Sequence, residues 1–529
     1  MWDGAGFDNP AWRPSMTGMS KLTDFTSYAD AQRHFSGAGL WALFDGDRER
    51  LNIAHECVDR WATGPDRTAV RIAYGDGTTE EIGFHQLSAW SSRFAHWLRR
   101  RGIEPGDRVA IMLEPSLPFY AALFGAMKAG AVAVPLFTLF GPDGVRLRVD
   151  DCSPRLLLTN AEKSASTGPL DRTETVVTDD AFMAGLRDFS ERFAVETRAD
   201  DMAMYQYTSG TTRDLPAAIK HTHRAVVVVA NAALYGTGVR PGDRFFCPSS
   251  PAWGHGLWHG TLAPLGLGVE TGTFSGRFDP VLLLKAISGF GITNLSAAAT
   301  HYRMMKNSGA VERYTYAIRK MSFTGEPVDS DTLAWTDAVF GTRLCSMYGT
   351  TEVGVILADY PGAEDFPGRP GSLGKPVPGV KVAVIGPDGT ESGTGEIKVW
   401  RHNAWFPTKD RGRVDADGYF WHGGRADDAI ISAGWTIGAT EVEDALLKHP
   451  AVREAAVIGV PDALRGQVIK AFIVVDRVHD GLAEDIQSFV RARLSQHEYP
   501  RIVQFMDELP KTPAGKVNRK TLRDREAAL

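Results

Sequence analysis

Cysteine is scarce: four thiols in 529 residues (Cys57, Cys152, Cys247 and Cys345), none near another. That excludes a disulfide-stapled scaffold and paired thiolate metal spacings, and predicts a reduced, cytoplasmic protein. Positive charge is in deficit, with 58 Lys and Arg against 64 Asp and Glu and a net charge of −6. Such a balance supplies no field to hold a polyanion by counterion release, which argues against nucleic acid as the main partner. Long apolar runs are missing too. The best candidate, 118–140, is broken by Gly125, Lys128, Gly130 and Pro135, and reads as a buried helix followed by a buried strand. No basic segment at the amino terminus leads into an apolar one, so no secretory signal is expected. Neither Gly-x4-Gly-Lys-Ser/Thr nor Gly-x-Ser-x-Gly occurs, which removes a Walker-type phosphate loop and a hydrolase nucleophile elbow.

What is present is alternation. From about residue 51 to 425, apolar helical patterns alternate with short β-branched strands, as in 108–112, 119–128 and 132–134. This predicts a layered α/β architecture, and the length suggests about three or four folding units. The texture changes near 410–440, where Gly/Asp-rich text gives way to a compact second pattern. Thr440 is the expected N-cap of a helix ending near Lys448, with Glu443 at the capping-box spacing. Strands are expected over 455–460 and 468–475 and a helix over 483–494, giving a small α/β domain of 427–529 behind a large domain of 1–426. The Pro-, Gly- and Lys-rich stretch 509–519 should lie on the surface.

Three hydroxyl- and carboxylate-bearing segments carry the chemistry. Thr208-Ser209-Gly210-Thr211-Thr212 offers hydroxyls and approachable backbone amides to a polyphosphate, although an ordinary Ser/Thr/Gly turn reads the same way. Tyr348-Gly349-Thr350-Thr351-Glu352 adds a second such turn ending in a carboxylate suited to a hard cation. Asp410 could accept from vicinal ribose hydroxyls or simply cap its own turn.

The ordered set of these segments with Gly325-Glu326-Pro327, Gly424-Arg425-Ala426-Asp427-Asp428 and Pro510-Lys511-Thr512-x-x-Gly515-Lys516 resembles the adenylate-forming superfamily, which includes acyl-CoA synthetases and stand-alone adenylation domains. The likeness spans about Asn52 to Arg523 and is greatest to the acetyl- and medium-chain-type acyl-CoA synthetases. It implies that Thr208 to Thr212 wrap the ATP phosphates. Gly325, Glu326, Pro327 and Tyr348 would border the adenine, with Gly349 and Thr350 beside the nucleotide. Thr351 would contact the α-phosphate and Glu352 would hold Mg²⁺. Asp410, assisted by Arg425, would bind the ribose. Asp427 would be the hinge, and Lys516 would meet the carboxylate and α-phosphate oxygens. ATP, Mg²⁺ and CoA follow as cofactor and co-substrates.

Three positions depart from the usual text. After Thr212 the chain reads Arg213-Asp-Leu-Pro216-Ala217, one residue longer than the usual text, with its glycine replaced and with Ala217 where a lysine is expected; Lys220 and Arg213 are out of register. Lys409 stands in a place that is commonly glycine, and Thr436 where an arginine is expected.

The acyl pocket is expected near Trp253, Gly254 and His255, with Trp253 and Trp258 equally readable as core aromatics. His255 and His259 are four apart, a metal-ligand spacing on a helix, but no third ligand is in view. The resulting expectation is an AMP-forming acid–CoA ligase acting on a medium-chain, branched or aryl acid. Two alternatives are an adenylation enzyme that loads a carrier protein and a nucleotide-binding regulator with impaired catalysis. The sequence leaves monomer and homodimer both open.

Overall fold

The computed structural model describes residues 20–207, 218–325, 328, 330–425, 430–510, 517 and 519–527; for 330, 423–425, 436, 440, 444 and 520 it describes the backbone alone. Among these residues the strands form four sheets.

Two sheets build most of the large domain. The six-stranded one runs in the order Glu174–Val177, Leu156–Thr159, Arg108–Met112, Val132–Pro135, Met202–Tyr207, Ala218–Thr222, and only its last pair is antiparallel. The nine-stranded one places Asn294–Ala298, Lys320–Thr324 and Leu344–Thr350 side by side and parallel. Helix Leu117–Lys128, apolar on nearly every face, packs into the largest core cluster together with Phe84–Arg100. Its terminal Lys128 is buried, its ammonium 2.6 Å from Asp59 and within 3.0 Å of Ser88 O and Ser92 Oγ. The segment 118–140 is therefore the buried helix and strand that its interruptions foretold.

Parallel strands fix where a ligand goes, because the chain leaves them at carboxyl ends that open to a crevice. Met202–Tyr207 runs into residue 208, Lys320–Thr324 into Gly325, and Leu344–Thr350 into Thr351 and Glu352. A four-stranded antiparallel sheet, Val382–Ile385, Thr394–Arg401, Ala404–Val414 and Phe420–Arg425, brings Asp410 to the same place.

The small domain is a five-stranded sheet built on the long hairpin Val452–Asp462 and Gly466–Val475, with Leu482–Arg493 as its second helix. The two strands contain those expected over 455–460 and 468–475, and the helix lies one residue before the one expected over 483–494. Helices Ala439–Leu447 and Leu482–Arg493 pack on one face with Val457, Ile469 and Ile473. Ala456, Ile458 and Phe472 on the other face pack against Leu509, Val517 and Leu522. One local expectation fails. The N-cap is Gly438, and Thr440 is the second residue of the helix. Glu443 is drawn away from the helix start, because its carboxylate accepts from Val457 N at 2.8 Å and pairs with Arg519 at 2.5 Å. A tertiary ion pair outweighs the local capping box.

Candidate active site

The strand ends and the antiparallel sheet enclose a cavity of about 470 Å³. Tyr348, Gly349, Thr350, Thr351, Glu352, Asp410 and Gly325 line one part of it, and Trp253, Gly254 and His255 another. Trp253, Tyr348 and Asp410, which lie 95 and 62 positions apart in sequence, thus share one space.

Asp410 is nearly buried, and its Oδ2 accepts from the Tyr348 hydroxyl at 2.7 Å. That hydroxyl is also 3.2 Å from Thr408 Oγ1, which donates to Ile397 O at 2.7 Å. His422 Nε2 lies 3.6 Å from Asp410 Oδ1. Asp410 faces Arg425 across the strand ladder, so register alone puts these two together. The local cap reading of Asp410 does not hold, since the carboxylate is oriented by side chains 62 and 12 positions away rather than by its own turn. Thr408 and His422 are contributors that motif reading passed over; the spacing of a hairpin was the only available signal.

Glu352 is held by the Thr350 hydroxyl at 2.7 Å on Oε2, while Arg401 donates to Val353 O at 2.5 Å and steadies the turn. Gly349 sits at a bulge in the ladder, where a Cβ would fall 1.7 Å from Gly354 O. Only glycine fits there. Among the described residues no cluster of three or more His, Cys, Asp or Glu is placed to hold a metal. A single carboxylate fits Mg²⁺, which keeps most of its ligands as water and phosphate oxygen.

The small domain closes the cavity. Ala433 and Gly434 have φ of +52° and +79°, the two positive values of a tight hairpin turn that pairs Ser432 with Trp435. The turn presses on the large domain: a Cβ on Gly325, itself at φ +96°, would meet Gly434 Cα at 3.0 Å. Trp435 packs 4.2 Å from Phe137, stacks on His497 at 4.5 Å and lies parallel to Trp253 at 6.4 Å. Nothing in the sequence marked Trp435 beyond its place after Gly434.

Trp253 and Trp258 both line the cavity, and Trp258, packed into the core behind it, donates its indole N–H to Gln206 Oε1 at 2.7 Å. His255 and His259 lie on a π-helical segment, His255–Leu262. His255 is hydrogen-bonded to Ser249 at 3.0 Å and Ser296 at 2.9 Å, and burial holds it well below the usual histidine range. A neutral imidazole paired to two hydroxyls is a positioning element and no metal ligand. Lys220 lies over the Tyr205 ring at 4.9 Å. Thr208, Ser209, Gly210, Thr211, Thr212, Glu326, Pro327, Asp427 and Lys516 lie outside the described residues, as do Arg213 and Ala217.

Comparison with known proteins agrees with this geometry. The family model described as AMP-binding enzyme matches residues 58–404, and that for the AMP-binding enzyme C-terminal domain matches 441–516. The acetyl-coenzyme A synthetase of Bacillus subtilis is 31% identical over 94% of each chain. The 4-hydroxybutyrate–CoA ligase 1 of Metallosphaera sedula is 30% identical over 85% of this chain and 86% of its own. The crystal structure of a Brucella canis acyl-CoA synthetase superposes with a TM-score of 0.71 at 32% identity, over 95% of this chain and 99% of that one. No helix among the described residues is long and apolar enough to cross a membrane. The chain belongs to the AMP-binding enzymes, among their AMP-forming acid–CoA ligases, which use ATP, Mg²⁺ and CoA.

Proposed function

We propose that this enzyme converts a small carboxylic acid, branched, aryl or of at most medium chain length, to its CoA thioester through an acyl-adenylate. The observation that carries the reading is the shared cavity, in which the Tyr348–Asp410 pair and Glu352 stand beside a pocket walled by Trp253.

A carboxylate is a poor acyl donor because oxide is a poor leaving group. In the first step its oxygen attacks the α-phosphorus of ATP, the bond to the bridging oxygen breaks, and pyrophosphate leaves. The barrier is one of holding anions together, so positioning and electrostatics do the catalysis. Asp410 and Tyr348 fix the ribose, and Gly325 lets the backbone lie close to the adenine. Thr208 to Thr212 hold the β- and γ-phosphates, Thr351 the α-phosphate, and Lys516 neutralises charge between carboxylate and phosphate. Glu352 holds Mg²⁺, whose contribution when bound is to screen the phosphate charge. In the second step the CoA thiolate attacks the acyl carbon and AMP departs.

The two steps need different faces of the small domain, with Asp427 as the hinge between 1–426 and 427–529. Support comes from the arrangement itself. The 430–437 hairpin covers the cavity, while Leu509 and Val517, which flank 511–516, belong to the sheet face opposite the helices. We assign this arrangement to thioester formation.

The test is acid-dependent release of AMP from ATP with and without CoA, run on the wild type and on Lys516→Ala. The wild type should release AMP only with acid and CoA. Lys516→Ala should lose adenylate formation by about 10²–10³ and still make thioester from preformed adenylate. Thioester formed only on a carrier protein's pantetheine arm would replace this reading with the loading enzyme.

A further inference from the structure

One polar group in the cavity wall has no part in the chemistry above. His255 and His259 both line the cavity, their ring centroids 6.2 Å apart on the π-helical turn. Their situations differ. His255 is fixed at both nitrogens by Ser249 and Ser296, and the Ser322 hydroxyl donates onward to Ser296 at 2.8 Å. His259, only 8% exposed, makes no side-chain hydrogen bond among the described residues; its Nδ1 is sealed away from the cavity, which leaves the Nε2 edge of the ring to face it. Burial holds its imidazole neutral, pushed down to about 4, so it is a hydrogen-bonding group and not a charge.

The glycines after each histidine build this arrangement. A Cβ on Gly256 would lie 2.2 Å from the carbonyl oxygens of Ser249 and Ser250, and one on Gly260 would lie 2.9 Å from Cys247 Sγ. The helix therefore lies flush on the 247–250 stretch along its glycine side and leaves the imidazoles to the cavity. Apolar Trp253, Trp258, Phe323 and Met347 line the same cavity, together with the hydroxyl residues Thr324 and Ser346. A buried neutral imidazole in such a wall lacks a partner unless one is brought to it, and a polar group left unpaired disfavours the state that leaves it so.

We propose that His259 is a specificity residue, whose ring hydrogen-bonds a hydroxyl, amino or oxo substituent on the acyl part of the substrate. The preferred acids are then short or single-ring acids that carry such a substituent, because an unsubstituted acid covers His259 with apolar surface. This rests on the ligase reading and narrows its substrate class.

The experiment compares matched acids of equal size on the full chain: 4-hydroxybutanoate against pentanoate, and 3-hydroxybenzoate against 3-methylbenzoate. The readout is the ratio of kcat/KM for CoA-dependent AMP release. The wild type should favour the polar member of at least one pair by about tenfold or more, as expected when a site is built to pair a substrate hydroxyl. His259→Phe should bring that ratio close to one, and His259→Gln should retain part of it. If His259→Phe does not fold, His259→Met is read in its place. A wild type indifferent to substitution in both pairs, or a preference that survives removal of the imidazole, overturns the proposal while leaving the ligase intact. An enzyme that releases no AMP with any acid overturns the ligase reading, and this one falls with it.

Discussion

Arg148 of the large domain and Glu441 of the small one face each other at 3.4 Å, with side chains 1% and 5% exposed. The guanidinium lies 3.8 Å over the Phe140 ring and also faces Glu498, whose carboxyl is pushed up by burial and held down in part by Arg148. Around this pair Arg493 and Lys448 meet Asp143 at 3.4 and 3.8 Å, and Gly141 N donates to Leu494 O at 2.5 Å. These contacts join helix Pro142–Cys152 to the face of the small domain that carries Ala439–Leu447 and Leu482–Arg493, the face that the proposed rotation would turn elsewhere.

Breaking one partner of a buried pair leaves the other uncompensated, which costs about 3–5 kcal/mol where no water reaches it. Glu441→Gln should therefore disfavour this domain arrangement. Thioester formation from preformed acyl-adenylate should slow by about tenfold or more, the scale of a 1–3 kcal/mol coupling, while adenylate formation keeps its rate. Single-turnover measurement of each half-reaction checks it; equal slowing of both would show that the pair only supports the fold.

Tyr348 and Asp410 should be separable by size of effect. Tyr348→Phe removes one donor to a buried carboxylate and should raise the KM for ATP about tenfold, in line with the 1.5–3 kcal/mol of hydrogen bonds to charged groups. Asp410→Ala also removes the group that accepts from the ribose and should cost more. A KM for ATP unmoved by Asp410→Ala would rule out the ribose role.

Lys409 has φ of +65°, in the left-handed region that glycine enters freely and a side chain with a Cβ does not. This is the physical reason the family text has glycine there. Lys409→Gly should stabilise the large domain by about 1 kcal/mol, measured as a shift of the denaturant midpoint. A lower midpoint would mean that the lysine side chain contributes more than the backbone conformation costs.

Several histidines set the acid limit of the protein. Burial pushes His221 and His223 down to about 3, and His259, His301 and His497 to about 4. A histidine whose folded pKa lies below its unfolded value contributes stability that is complete above about pH 6.5. That stability is lost as pH falls toward 4, because the unfolded chain then binds protons that the folded one refuses. Each such group contributes a slope of about 1.4 kcal/mol per pH unit. Thermal unfolding should be nearly independent of pH from 7 to 8 and fall steeply below 6. A flat profile down to pH 5 would contradict the burial of these rings.

The strands over 108–112 and 132–134 and those of the small domain were legible because apolar periodicity and turn residues are local properties. The helix start at Thr440 was misread because Glu443, the partner required for its box, is engaged by Arg519 and Val457. The π-helical turn at His255 escaped because it depends on how closely Gly256 and Gly260 approach another segment.

The sequence by itself determined the order of the loops and the presence of a second small domain, since spacing and composition along one chain encode both; the roles proposed for those loops toward a magnesium nucleotide come from the resemblance of the ordered set to a family. Only the tertiary structure decided that Trp435 roofs the cavity beside Trp253, that Arg148 meets Glu441, and that His259 lines a substrate-sized space. Those relations are set by burial and by contact between residues far apart in the chain, where desolvation and packing, rather than local preference, fix the outcome.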